Sequence, residues 1–163
     1  MRVLFLDIDG VLNSTPYLET LPKEKAIYAA GEIDWREMLD PANVQWLEKL
    51  VTVANAAVVI SSSWRSEHKP EAIQGYIRDR GGPNVHVVGA CPVGFDRGPS
   101  IIEWLKTWGN LVDQWVALDD CRDMGPAEHR TVRTSVHEGL TAAHVDRALL
   151  LLGLSAEGKV LWG

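Results

Sequence analysis

Two aspartates one residue apart, Asp7 and Asp9, end a short apolar run and are followed at once by Gly10 in LDIDG. A second acidic pair, Asp119 and Asp120, ends QWVALDD, and three hydroxyls, Ser61 to Ser63, end the apolar part of AAVVISSSWR. Arg97 stands just ahead of a further apolar stretch in RGPSIIEWL. Carboxylates gathered at one spot repel each other unless a cation joins them. Hard oxygen ligands without Cys or His select Mg2+. A carboxylate can attack phosphorus and split a hydrolysis into two steps through an acyl phosphate. A second acid nearby can protonate the leaving oxygen and then deprotonate water. Serine hydroxyls, backbone N–H groups and an arginine suit the spread charge of a phosphoryl group in transfer.

Taken singly, each feature has an ordinary reading. DxDG forms turns, a run of serines caps helices, and paired acids or a lone arginine sit on solvated loops. The elements that carry them make the difference. RVLFL reads as a central strand buried on both faces. Asp40 with Pro41 opens a helix whose apolar face is Val44, Leu47, Leu50, Val51 and Ala54. AAVVI is a second buried strand. A helix from about Pro70 uses Ile73, Tyr76 and Ile77 and ends at Gly81-Gly82. NVHVVG is a third strand, and Pro99 opens a helix carrying Ile101, Trp104, Leu105 and Trp108. DQWVALDD is a fourth strand and HRTVRTSV a fifth, more polar one. Thr141 caps a last helix, and GKVLWG is a short strand or a loop over the core. This alternation predicts an α/β sandwich with a mainly parallel sheet. In such sheets ligands bind at the carboxyl ends of the strands, and there the acids, hydroxyls and arginine fall.

The bulk numbers agree. A chain of 163 residues suits one domain. With 46% hydrophobic and 23% charged residues it has the mix of an ordinary globular protein. No apolar run approaches the roughly 20 residues that span a bilayer. Two aspartates interrupt the first apolar run, unlike a signal peptide, so a cytoplasmic location is expected. Cys91 and Cys121 lack zinc spacing and read as reduced thiols. A net charge of -6 argues against a broad duplex-binding surface. The five histidines show no ligand spacing.

The motifs DIDG, VVIS, a downstream cation and LDD, in that order, resemble the four signature motifs of the haloacid dehalogenase (HAD) superfamily. LDIDGVLNS, VVISSSWR, RGPSIIEWL and HEGLT resemble the small subgroup found as domains in predicted RNA-repair proteins. The resemblance implies a Rossmann-like three-layer core with strand order 5-4-1-2-3. It implies Asp7 as nucleophile, and Asp9 as general acid/base whose backbone carbonyl also binds Mg2+. It matches Ser61, with Ser62 beside it, to the phosphate-binding hydroxyl. It makes Asp120 the metal ligand with Asp119 in support, and Asp123 the fallback. The family's usual lysine has two stand-ins, Arg97 at a helix start and Lys106 inside the helix. Arg97 is preferred because helix N-termini favour anions.

Only about 30 residues separate the first motif from the Asp40 helix, too few for a full cap domain. The stretch from about 13 to 39 is therefore read as a minimal insertion. An open site suits a large substrate such as a nucleic acid end, and a small phosphate ester if the insertion folds over as a lid. Trp35 in the insertion and Trp64-Arg65 after the serines could stack on a base and pair with a phosphate; alternatively Trp64 packs between helix and sheet and Arg65 pairs with an acid. Trp46, Trp104, Trp108 and Trp115 read as core. Three functions remain in view: a magnesium-dependent phosphatase acting through an aspartyl-phosphate, on phosphorylated nucleic acid ends or nucleotides; a non-catalytic module that binds phosphorylated ends; and a phosphotransferase.

Overall fold

A computed structural model describes residues 1–22 and 34–162 of the chain. Its centre is a sheet of five parallel strands in the order β3-β2-β1-β4-β5, the expected 5-4-1-2-3 seen from the other edge. The strands are β1 (Arg2–Leu6), β2 (Ala56–Ile60), β3 (Val87–Ala90), β4 (Gln114–Asp119) and β5 (Thr131–Arg133). Helix α1 (Thr15–Thr20) follows β1, and α2 (Pro41–Ala54) leads into β2. Helices α3 (Pro70–Asp79), α4 (Arg97–Trp108) and α5 (Ala142–Leu151) complete the fold. No helix of the described residues is long and apolar enough to cross a membrane.

Both faces of the sheet are covered, which explains the unbroken apolar runs. Side chains alternate along a strand. Leu4, Leu6, Val58, Ile60, Val116 and Leu118 pack with α2, α3 and α5 on one face. Val3, Phe5, Val59 and Ala117 pack with Ile101 and Trp104 of α4 on the other. The result is the three-layer sandwich that the alternation of elements predicted.

Local signals worked where a cap was explicit. Asp40 accepts from the Ala42 N–H at 2.9 Å, Pro41 takes the first turn, and Asn55 ends α2 in the left-handed region at φ 48°. Thr141 and His144 form a reciprocal capping box on α5. Four expectations need correction. Helix α4 starts at Arg97, two residues before Pro99, because proline fits anywhere in a first turn whose N–H groups have no helical partner. Strand β5 keeps only Thr131–Arg133. The chain before it winds into a 3-10 turn over Gly125–Arg130, held where the Arg130 guanidinium donates to the Trp115 carbonyl. Trp108 is 49% exposed, not core, since α4 ends there. The tail makes a single antiparallel bridge, Leu154 to Val160, and leaves Val160, Leu161 and Trp162 exposed rather than over the core. Trp104 is buried, while Trp46 and Trp115 are half-buried against the two cores.

Of the insertion, α1 and a 3-10 turn at Trp35–Met38 are described. The turn is tied down from two sides. Arg36 bridges Asp34 and, at 3.0 Å, Asp79 of α3. Tyr17 donates to the Glu37 carbonyl, and Arg80 donates to both Tyr17 Oη and the Leu39 carbonyl.

Candidate active site

Strand register builds the site. Leu6 pairs with Ile60 of β2 and with Leu118 of β4, so the next residue of each strand, Asp7, Ser61 and Asp119, falls in one row. Backbone bonds continue past the strands to hold that row: Asp7 N–H to Leu118 O at 3.0 Å and Ser61 N–H to Leu6 O at 3.0 Å. It lies where the chain crosses from one side of β1 to the other, the usual ligand crevice of an open parallel sheet.

After β1 the chain turns tightly. Ile8, Val11 and Leu12 are fully buried and anchor the turn, while Asp7 is nearly buried and Asp9 exposed. Gly10 sits at φ +79°, and a Cβ there would stand 2.3 Å from Asp120 Oδ2. Glycine is thus required twice, by the backbone and by the close approach of Asp120.

Asp7, Asp119 and Asp120 offer carboxylate oxygens that all lie within 4.8 Å of one another. Arg97, the first residue of α4, meets two of these acids, Asp7 Oδ1 at 2.6 Å and Asp119 Oδ2 at 3.1 Å. Its neighbour Gly98 lets the helix seat this deeply, since a Cβ would fall 1.8 Å from the Met124 carbonyl oxygen. Burial, reinforced by the charge on Asp7, pushes the Asp119 carboxyl up to about 7 and that of Asp120 up to about 6. Three carboxylates against one guanidinium leave an excess of negative charge. Oxygen donors alone make up the set, as a divalent hard cation requires. The residues therefore fit a Mg2+ ion.

Asp9 is not part of this acidic cluster. Its Oδ1 accepts from Asn13 Nδ2 at 3.0 Å and its Oδ2 from Trp64 Nε1 at 3.1 Å. Asn13, almost fully buried, also accepts from the Gly10 N–H and donates to the Met38 carbonyl. Sequence reasoning did not single out Asn13, although its place four residues after Asp9 in DIDGVLN was a usable signal. Thr134 was missed too. It follows β5 and donates from Oγ1 to the Gly10 carbonyl at 2.6 Å; a polar residue at the carboxyl end of the fifth strand could have been found by the same strand-end rule.

The remaining candidates separate. The Ser61 hydroxyl is buried with no hydrogen-bond partner, level with Asp7. The Ser62 hydroxyl accepts from the Trp64 N–H and caps the next turn. Arg65 is spent on backbone, donating to the carbonyls of Ser61, Ser62, Cys91 and Pro92; it ties the loop after β2 to the loop after β3. Trp64 is buried, and its indole meets Trp35 edge-on at 4.9 Å. Lys106 pairs with Glu103 on the exposed side of α4. Asp123 accepts from the Gly125 N–H and stands outside the acidic cluster found among the described residues. Cys91 is buried and Cys121 half-buried, both free thiols. HEGLT turns out to clip the molecule together: Asn43 donates to the Glu138 and Leu140 carbonyls, and Leu140 N–H to Val11 O.

Comparison with known proteins places the fold in a family. One family model, described as the HAD domain in Swiss Army Knife RNA repair proteins, matches residues 3–145. Neither the curated proteins nor the solved structures yielded a match.

Proposed function

The chain belongs to that family of HAD domains, and from this premise we propose that it is a magnesium-dependent phosphohydrolase with Asp7 as its nucleophile. The observation that carries the reading is the row of Asp7, Ser61 and Asp119 with Arg97 against Asp7. It puts a carboxylate, an unpartnered hydroxyl and a cation at one end of a parallel sheet. The substrates are phosphate monoesters, with nucleotides and phosphorylated nucleic acid ends as the favoured class.

An oxygen of Asp7 attacks phosphorus, and the bond from phosphorus to the leaving oxygen breaks. Asp9 gives that oxygen its proton. Water then attacks the phosphorus of the aspartyl-phosphate and loses a proton to Asp9, which frees inorganic phosphate and restores both acids. Asn13 and Trp64 hold one oxygen of Asp9 each, and a carboxyl group has further lone pairs for the proton it carries. Arg97 and the Ser61 hydroxyl bind the phosphoryl oxygens. Asp7, Asp120 and the carbonyl of Asp9 would hold Mg2+, with Asp119, fixed by Arg97 and by the Cys121 N–H, in support. When bound, the ion neutralises charge on the transferring group.

Phosphate release from nucleotides, sugar phosphates and phosphorylated oligonucleotides, with and without magnesium, tests the proposal. Asp7→Asn is expected to abolish release while circular dichroism shows an intact fold. Retained magnesium-dependent turnover in that variant would remove Asp7 from the mechanism. Tight binding of phosphorylated oligonucleotides with no release would make the chain a binding module instead.

A further inference from the structure

We infer that Arg65 is a positioning residue for phosphate: without touching the phosphoryl group, it fixes the Ser61 backbone so that the Ser61 hydroxyl stays level with Asp7. The kinetic half of this inference rests on the phosphohydrolase reading above. The phosphate-binding half needs no turnover.

Ser61 is fully buried, and its hydroxyl has no hydrogen-bond partner of its own. A hydroxyl without a bond cannot hold its own place, so the backbone that carries it must. That backbone is held on both sides. The Ser61 N–H donates to the Leu6 carbonyl of β1 at 3.0 Å. The Ser61 carbonyl accepts from Arg65 Nη1 at 2.6 Å, and the same nitrogen reaches the Ser62 carbonyl at 2.8 Å.

The other nitrogens of Arg65 leave its own turn. Nε donates to the Cys91 carbonyl at 3.0 Å and Nη2 to the Pro92 carbonyl at 3.3 Å. Beyond β3 the Cys91 N–H still donates to the Ile60 carbonyl at 2.8 Å, but Pro92 has no N–H with which to continue the ladder. The guanidinium takes over the join at that point. Its planar fork of five donors suits four carbonyls at once, which a lysine ammonium does not. Ser61 is therefore fixed against the loop after β3 as well as against β1. Burial lowers the pKa of the guanidinium, and Arg97 and Asp7 are among the charges that act on it. Arg65 thus lies within electrostatic reach of the reacting acid, and the test must separate placement from charge.

A double-mutant cycle over Arg65 and Ser61 does so, with kcat/KM for p-nitrophenyl phosphate in magnesium as one readout. The p-nitrophenolate ion leaves without needing a proton, so a disturbance of Asp9 through its neighbour Trp64 carries little weight in this quantity. Ser61→Ala is expected to lower kcat/KM by about a hundredfold, the scale of one lost donor to the transferring group. Arg65→Ala is expected to lower it by about tenfold, as a small displacement does. In the Ser61→Ala background, Arg65→Ala should change it by less than about twofold, because no hydroxyl is left to place. Calorimetric titration with inorganic phosphate should show the same coupling. Arg65→Lys keeps the charge and loses the fork, and it is expected to lose several-fold in both readouts; it carries the cycle if Arg65→Ala does not fold. Equal losses with and without the Ser61 hydroxyl would overturn the inference, and so would full activity and phosphate affinity in Arg65→Lys. Absence of Asp7-dependent phosphate release in the parent chain sinks the phosphohydrolase reading instead, and the phosphate titrations then decide on Arg65 alone.

Discussion

At the scale of single residues, the site depends on a side chain that does no chemistry itself. Asn13 fixes the orientation of Asp9 and satisfies the Gly10 N–H in the same turn. Asn13→Ala should lower kcat by about tenfold, part of what a positioned acid supplies, and cost about 1–2 kcal/mol of stability for the lost buried bonds. Steady-state kinetics with a thermal melt check both, and an unchanged kcat would mean that Trp64 alone suffices to hold Asp9. Much at this scale was legible in advance. Asp7 and Ser61 follow an apolar strand and Asp119 ends one, so strand ends located them. Arg65 was not legible, because its partners are backbone carbonyls from two separate loops, and no pattern of residue types records which carbonyls fold to meet a guanidinium.

At the scale of elements, α4 carries the cation and Gly98 sets its depth. Gly98→Ala would drive a Cβ into the Met124 carbonyl, a backbone atom that cannot swing aside. The expected cost is about 3 kcal/mol by overpacking, read from urea unfolding. Phosphate release should fall further than stability explains, since Arg97 moves with the helix. A variant as stable and active as the parent would show that the 125–130 turn yields freely. The strand and helix order was readable from alternating apolar runs and caps. The ends of α4 and β5 were not, because Pro99 marks a first turn without fixing its first residue, and because the Arg130 bond to Trp115 O competes with strand pairing from across the sheet.

At the scale of the whole molecule, the fold gathers three acids at one rim and so stores charge repulsion there. The carboxyls of Asp119 and Asp120 rise from the ordinary 3.8 to about 7 and about 6. The folded chain without metal therefore holds these protons more tightly than the unfolded chain. The stability this confers is complete below about pH 4 and drains away as pH rises through the range of about 6 to 7. In EDTA the melting temperature should fall between pH 4 and pH 8 by several degrees, and Mg2+ should restore most of the loss at pH 8 by binding the ionised acids. A melting temperature that stays flat or climbs across this window in EDTA would contradict the charge arrangement. Some acids titrate in the opposite sense, but they are exposed pairs such as Asp113 with the N-terminal amine, whose contributions are small.

The indole bond from Trp64 to Asp9 has a use apart from chemistry. Tryptophan indole N–H groups give signals well separated from backbone amides in a nitrogen–proton correlation spectrum. With seven tryptophans in the chain there are few enough to assign one by one, and Trp64→Phe identifies the peak of interest. Its hydrogen lies on a carboxylate oxygen of Asp9, and Trp64, Asp9 and Trp35 all line the same cavity. The molecule thus carries a native probe whose chemical shift reports on the contact with Asp9 and on the cavity around it, with no turnover required.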